Sequence, residues 1–486
     1  MSQPPTIEPI APAETLYMRI FHRISKMIEQ GALRPGDRVP SVRRLSRQEG
    51  VSISTILQAY VQLEAQGFIE ARPQSGFYVK PRLWQRPAEP GMTKPSAKAT
   101  PVSAGEMTLN ILKAVRDPEL VALGTAIPSP ELLPLQQLNR MMAAIGRHNP
   151  SAGNSYDVTP GAPQLRAQVA RRALDYGCLL SPDEIVVTTG CQEALNLCLQ
   201  AVAGPGDTIA VESPTYYGIL QMIGALRMKA LEIPTHPRDG VSLDALEYAL
   251  DRERIAACLF TPTFNNPLGC SMPDENRKRL VVMLAASGIP LIEDDIYGDI
   301  AFGPERPRAV KALDSEGLVL LCDSFSKTLA PGYRVGWCAP GRYQKKVEHL
   351  KFTNSIASAT LPALAVAEFL ATGGYEHHLR KVRRVYAEQV RLMTDSIAQH
   401  FPEGTKVTRP QGGHVLWLEM PPKIDAMDLF HKALAAKISI APGPLFSAKQ
   451  KYSNCVRLNC GTPWGKPLEE ALKTLGMLAA RQMRQA

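Results

Sequence analysis

At 486 residues the chain exceeds one ordinary domain, and its 45% hydrophobic and 21% charged residues are those of a globular protein. No apolar run reaches the roughly 18–20 residues of a membrane span, and the N-terminal MSQPPTIEPIAPAE lacks the basic stretch and apolar block of a secretory signal. The net charge of +9 is unevenly spread: residues 1–105 hold 14 basic and 8 acidic side chains, the remainder 41 and 38, which directs attention to the N-terminus for nucleic acid.

The first predicted element is an amphipathic helix over 14–30, with Leu16, Tyr17, Ile20, Phe21, Ile24, Met27 and Ile28 on one stripe. Gly31 stops it, and RPGDRVP makes a turn. Ser41 is placed to cap a short second helix ending at Gly50. Ser52 caps a third, whose expected apolar face is Ile53, Ile56, Leu57, Tyr60 and Leu63. Two short helices joined by a tight glycine turn make a helix-turn-helix. The run GFIEARPQSGFYVK then reads as a hairpin turning at Gln74-Ser75-Gly76, which would serve as a wing.

The stretch GALRPGDRVPSVRRLSRQEGVSISTILQAYVQLEAQGFIEARPQSGFYV resembles the winged helix of the GntR family of regulators. The resemblance implies that Arg43 contacts phosphate, that Ser52, Ser54 and Thr55 open a recognition helix, and that Ser75 and Gly76 graze the minor groove of double-stranded operator DNA. Hydroxyls and amides at a helix N-terminus are suited to those contacts. Ile53 departs from the family, whose members often carry arginine there; Arg44, Arg47 and Arg72 are electrostatic substitutes.

Residues 81–105 are rich in Pro, Ala and Ser and read as an extended linker between a head over 13–80 and a body over 106–486. In the body, strands and helices alternate with short Gly/Pro turns, the pattern of an α/β domain with a mostly parallel sheet. Nine scattered cysteines contain no Cys-x-x-Cys pair, so neither a disulfide framework nor a metal site is expected. Cys198, Cys258, Cys322 and Cys338 lie in apolar stretches and read as small buried hydrophobes. A reducing cytoplasm is the expected location.

Several strand ends carry chemistry. GLVLLCDSFSK ends an apolar strand in two serines and Lys327, with Arg334 seven residues on; a desolvated lysine in a cationic pocket can form a Schiff base. GIPLIEDDIYGD supplies Asp294 and Tyr297, TPTFNNPLG supplies Asn266, ESPTYYG supplies Tyr216, and VVTTGCQEALNL turns through Gly190 into a helix suited to an anion. All fall at C-terminal strand ends, where open parallel sheets bind ligands.

In this order they closely resemble the fold-type-I aminotransferases over 106–486. The resemblance implies pyridoxal 5'-phosphate, held covalently by Lys327. It also implies that Asp294 faces the pyridine nitrogen, that Asn266 and Tyr297 bond the phenolate oxygen, and that Tyr216 stacks on the ring. Ser324, Arg334, Cys191 and Gln192 would hold the phosphate, with Cys191 replacing a commoner serine. Tyr156 matches a tyrosine sent into a neighbouring subunit, implying a homodimer, and Arg457 matches the arginine that grips a substrate carboxylate.

A GntR-like head on an aminotransferase-like body is the arrangement of the MocR subfamily. It implies a regulator that senses an amino compound or free pyridoxal phosphate. Nothing in the lysine, aspartate and arginine set forbids turnover, so a catalytically active aminotransferase with an accessory head is the alternative.

Overall fold

The computed structural model describes residues 16–29, 33, 36–65, 68–72, 75–80, 87–102, 117 and 119–485, in two compact units that meet in the chain at Arg86 and Pro87. The expected helix stop at Gly31, the wing residue Gln74 and linker residues 81–86 and 103–105 lie outside the described residues.

In the first unit, α1 (Leu16–Glu29), α2 (Val42–Glu49) and α3 (Ile53–Ala65) precede a hairpin of β1 (Ile69–Arg72) and β2 (Gly76–Val79). Ser41 caps α2 by accepting from the Arg44 amide. Gly50 closes that helix at φ 64°, a left-handed conformation that glycine adopts without the Cβ penalty. Ser52 Oγ then accepts from the Thr55 amide at 3.1 Å and opens α3. Ile20, Phe21, Ile24 and Ile28 of α1 pack with Ile56, Ala59, Tyr60 and Leu63 of α3 and with Ile69 and Val79 of the hairpin. The buried Tyr60 donates its hydroxyl to Pro40 O at 2.6 Å.

The expected face of α3 needs correction. Ile56, Tyr60 and Leu63 are fully buried, but Ile53 and Leu57 are about half exposed, as is Val61. Residues 53, 57 and 61 follow i, i+4 spacing and form their own stripe beside the buried one. Sequence periodicity merged two adjacent stripes into one wide face.

The second unit centres on a sheet whose strands lie in the order Thr100–Pro101, Lys229–His236, Thr208–Ser213, Ile255–Phe260, Leu291–Asp294, Val319–Ser324, Val335–Ala339 and Val186–Thr189. The central pairings are parallel, as the alternation of strands and helices predicts. Val335–Ala339 runs antiparallel to both its neighbours. Leu320 and Cys322 join one apolar cluster while Leu321 joins another, so alternate residues of one strand feed layers on opposite faces.

A smaller antiparallel sheet follows, built around Val415–Glu419 and Cys455–Asn459 and covered by helices Gly374–His400, Ala426–Ala435 and Lys466–Gln485, with Met393, Leu429 and Leu472 in one apolar cluster. All nine cysteines are free and buried. Among the described residues no helix is long and apolar enough to cross a membrane.

Residues 87–102, the described part of the segment read as an extended linker, contain no helix and are tied along the second unit, which begins at Pro87 and not at residue 106. Thr93 donates its amide to Thr235 O at 3.2 Å and its hydroxyl to Ser213 O at 2.5 Å. Lys449 reaches Ser96, Arg238 pairs with Glu89, and Thr100–Pro101 pairs with Lys229–Ala230 at the sheet edge. An edge strand leaves backbone groups that need partners, and this segment supplies them.

Candidate cofactor and DNA sites

Five strands that run in one direction, Val186–Thr189, Thr208–Ser213, Ile255–Phe260, Leu291–Asp294 and Val319–Ser324, end at one edge of the large sheet, and each leads to a side chain there. The antiparallel Val335–Ala339 is the exception that completes the set: its direction brings Arg334, at its N-terminal end, to the same edge. A cavity of about 180 Å³ at this edge is lined by Cys191, Gln192, Tyr216, Asn266, Asp294, Tyr297, Ser324, Lys327 and Arg334. Nine of the residues singled out from the sequence therefore converge. Tyr156 and Arg457 do not belong to that lining. Tyr156 is 79% exposed, and Arg457 lies fully buried on strand Cys455–Asn459.

Lys327 Nζ donates to Ala126 O at 2.6 Å and lies 5.9 Å from the centre of the Tyr297 ring. Burial, reinforced by the charge of Arg457 and opposed by Asp294, brings its amine down to about 8. Asp294 is the reverse case, a carboxyl raised to about 6 by burial. Its Oδ1 accepts from the Ile296 amide at 3.3 Å and from the Cys191 thiol at 3.4 Å. The loop after Asp294 is pinned by buried charges: Arg306 bonds Asp295 and Asp299 at 2.7 Å each, and Arg172 bonds Asp299 at 3.1 Å.

Asn266 Nδ2 donates to the Tyr297 hydroxyl at 3.3 Å, while its Oδ1 is buried without a partner. Tyr216 lies 4.7 Å from Tyr217, and a side chain at Gly218 would collide with its ring. At Gly190, φ is 77° and a Cβ would strike the Arg334 guanidinium, so glycine is required at the entry to helix Cys191–Val202. Arg334 itself holds φ 53°, and its guanidinium donates to Ser326 Oγ at 3.3 Å and Thr189 O at 3.2 Å. Gln192 reaches Gly218 O at 3.5 Å, and Ser324 Oγ accepts from the Ser326 amide at 3.4 Å.

Arg457 donates one nitrogen to Gly124 O at 3.0 Å, while Nε and Nη1 are buried without partners. Two unpaired guanidinium nitrogens in the interior are costly unless an acceptor arrives. The sequence alone did not single out Ala126 or His414, and it marked Ser326 only as one of the two serines before Lys327. His414 is buried, donates from Nδ1 to Asn459 Oδ1 at 3.0 Å, and is held far below its usual range by burial and by the charge of Lys327. Its Gly-Gly-His setting was the available signal; for the backbone carbonyl of Ala126 there was none.

In the first unit, the hydroxyls of Ser54 and Thr55 lie 2.7 and 2.8 Å from Ser52 Oγ, clustered at the start of α3. Arg43 is exposed on the first turn of α2. At the wing, Ser75 Oγ lies 2.6 Å from the Tyr78 hydroxyl, and Gly76 takes φ 105° with the Arg38 guanidinium against it. Arg72 stacks 4.4 Å from the centre of the Tyr78 ring. Arg38 was not singled out from the sequence.

Residues 16–79 match the family of bacterial regulatory proteins called gntR, and residues 130–475 match aminotransferase class I and II. An uncharacterized HTH-type transcriptional regulator of Escherichia coli, YjiR, is 40% identical over 96% of this chain and 100% of its own length. A second from the same organism, YdcR, is 39% identical over 96% of this chain and 99% of its own. Among solved structures, the alpha-aminoadipate aminotransferase LysN of Thermus thermophilus, complexed with N-(5'-phosphopyridoxyl)-L-leucine, is 30% identical. It superposes with a TM-score of 0.72 over 79% of this chain and 98% of that one.

Proposed function

We propose that this chain, which belongs to the MocR-like transcription regulators with a gntR-family head fused to a class I and II aminotransferase body, binds pyridoxal phosphate at Lys327 and thereby senses an amino compound. Lys327 carries the reading. With its amine brought down to about 8, about a tenth is unprotonated at pH 7, against under a thousandth for an ordinary lysine. Only that form is a nucleophile.

Pyridoxal phosphate supplies an aldehyde that takes up amines and a ring that withdraws electrons. The residues fit it. Arg334 and the free amides at Cys191 and Gln192 suit a phosphate. Asp294 suits a protonated ring nitrogen, Tyr216 a ring face, and Tyr297 with the half-unpartnered Asn266 amide suits a phenolate oxygen. The two unpaired nitrogens of Arg457 suit a carboxylate, which favours an amino acid over a simple amine as the effector.

The clustered hydroxyls opening α3, with Arg43 and the wing, support operator DNA as the partner of the head, and hence action in the cytoplasm. The exposed Tyr156, with the exposed Val158, Phe352 and Ile356 on a surface where Val158 bridges Ala357, supports a homodimer. A bound effector changes DNA affinity only by interacting differently with two arrangements of that dimer.

The test is binding of the holoprotein to its own upstream DNA, followed by fluorescence anisotropy with and without amino acids. Affinity that shifts with one amino acid and falls steeply with salt supports the regulator. The completeness of the lysine, aspartate and arginine set favours a second reading, an active aminotransferase. Steady-state transamination at about 1 to 1,000 per second would put catalysis first.

A further inference from the structure

The residue opening helix Cys191–Val202 is the first whose side chain follows the Gly190 turn, and a hydroxyl there would be expected to face an anion at the helix N-terminus. The cysteine behaves differently. Cys191 is 4% exposed, and its thiol is directed to Asp294, with Sγ 3.4 Å from Oδ1. Burial and the neighbouring carboxylates push the thiol well above its usual range, so sulfur keeps its proton and acts as the donor.

Both protein donors to Asp294 fall on the same oxygen. The Ile296 amide and the Cys191 thiol converge on Oδ1, and among the described residues no donor is seen on Oδ2, although Asp294 lines the cavity. A carboxylate with one oxygen held by two donors has its plane fixed and its second oxygen left for a donor inside the cavity. The backbone amide alone, at 3.3 Å, leaves the group free to turn about its χ2 torsion.

We infer that Cys191 is a positioning residue for Asp294 and not a phosphate ligand: its thiol fixes Oδ1 so that Oδ2 faces the ring nitrogen of the cofactor. The inference rests on the pyridoxal phosphate reading and assigns within it a task that the helix N-terminus does not. The phosphate is left to the backbone amides, Ser324 and Arg334. The thiol also bears on protonation, because its hydrogen bond favours the ionised carboxylate that burial opposes.

Three ligands separate the possibilities: pyridoxal phosphate, pyridoxal (no phosphate), and 1-deazapyridoxal phosphate, with carbon in place of the ring nitrogen. Affinities for the apoprotein are measured by calorimetry. Cys191→Ala is expected to weaken pyridoxal phosphate and pyridoxal by the same factor, about three- to tenfold, and to leave the deaza compound unchanged. Cys191→Ser, which restores a donor of similar size, is expected to bind pyridoxal within about twofold of wild type. A loss confined to the two phosphate-bearing ligands would make Cys191 a phosphate contact and overturn the inference. An equal loss on all three would make it a packing residue and overturn it as well, as would a serine variant that loses pyridoxal. Wild-type protein that binds none of the three instead refutes the cofactor reading itself.

Discussion

The two candidate sites are built on opposite principles. In the aminotransferase body Asp294, Asn266, Tyr297 and Arg457 are buried before any ligand arrives, with Lys327 half-buried and only Gln192 and Arg334 exposed at the rim: Lys327 is driven down, Asp294 is driven up, and the Arg457 guanidinium keeps two nitrogens unpaired. In the head, Arg43, Ser52 and Ser54 stand exposed and Thr55 half-exposed, and the three hydroxyls bond one another. The body therefore stores its ligand's chemistry as protein instability, and the head stores almost none. A buried polar group without a partner states what it lacks, whereas a solvated one does not. Substrate chemistry can accordingly be inferred from the body, while the operator sequence cannot be read from the head.

The largest effect is expected at Arg457. Arg457→Leu removes the two unpaired donors, and effector amino acids should bind the holoprotein about 30- to 1,000-fold more weakly. The corresponding amines without a carboxylate should lose less than about threefold. Equal losses for both classes, measured by spectral titration, would separate Arg457 from carboxylate recognition.

Next comes a stability effect that the head cannot show. Asp294 is raised from 3.8 to about 6 in the fold, so the folded state binds more protons than the unfolded chain between those values. Stability falls as pH rises through that window, and the full cost of the buried charge is present above about 6. The Asp294→Asn apoprotein is thus expected to gain about 1–3 kcal/mol at pH 8, an advantage that shrinks between pH 6 and pH 4, while binding pyridoxal phosphate more weakly. Thermal melts of apoprotein across this range decide it. An advantage independent of pH would mean that the charge is not the cause.

The smallest effect belongs to the head. Arg43→Ala should weaken operator and unrelated DNA alike, about tenfold, and reduce the salt slope by about one, with no change in melting temperature because the residue is exposed. A sequence-dependent loss would make Arg43 a base contact.

The sequence made the body more legible than the head. Apolar strands leading to Asp294, Asn266, Tyr216 and Lys327 carried both the parallel sheet and the site, because in a strand buried on both faces a long apolar run that gives way to polar residues marks the edge where ligands bind. Arg334 was found as a charge near the lysine, but the antiparallel strand that delivers it was not expected. Cys191 lines the cavity, yet its thiol turns to Asp294, a choice of rotamer that no sequence pattern records. In the head, α2 and α3 and their serine caps were legible from hydroxyl and glycine positions. Ile53 and Leu57 were assigned to the wrong stripe because helical periodicity says which residues share a side, not where the partner helix stops covering it. The attachment of residues 87–102 to the sheet edge was equally hidden, since their composition is that of a free linker while their backbone pairs with Thr235 and Lys229–Ala230.

The direct measurement is borohydride reduction of the protein incubated with pyridoxal phosphate, followed by peptide mass spectrometry. The expected result is one phosphopyridoxyl adduct, on the peptide containing Lys327, absent from Lys327→Ala. No adduct at Lys327, or labelling spread equally over surface lysines, would contradict a sensing body built on that amine.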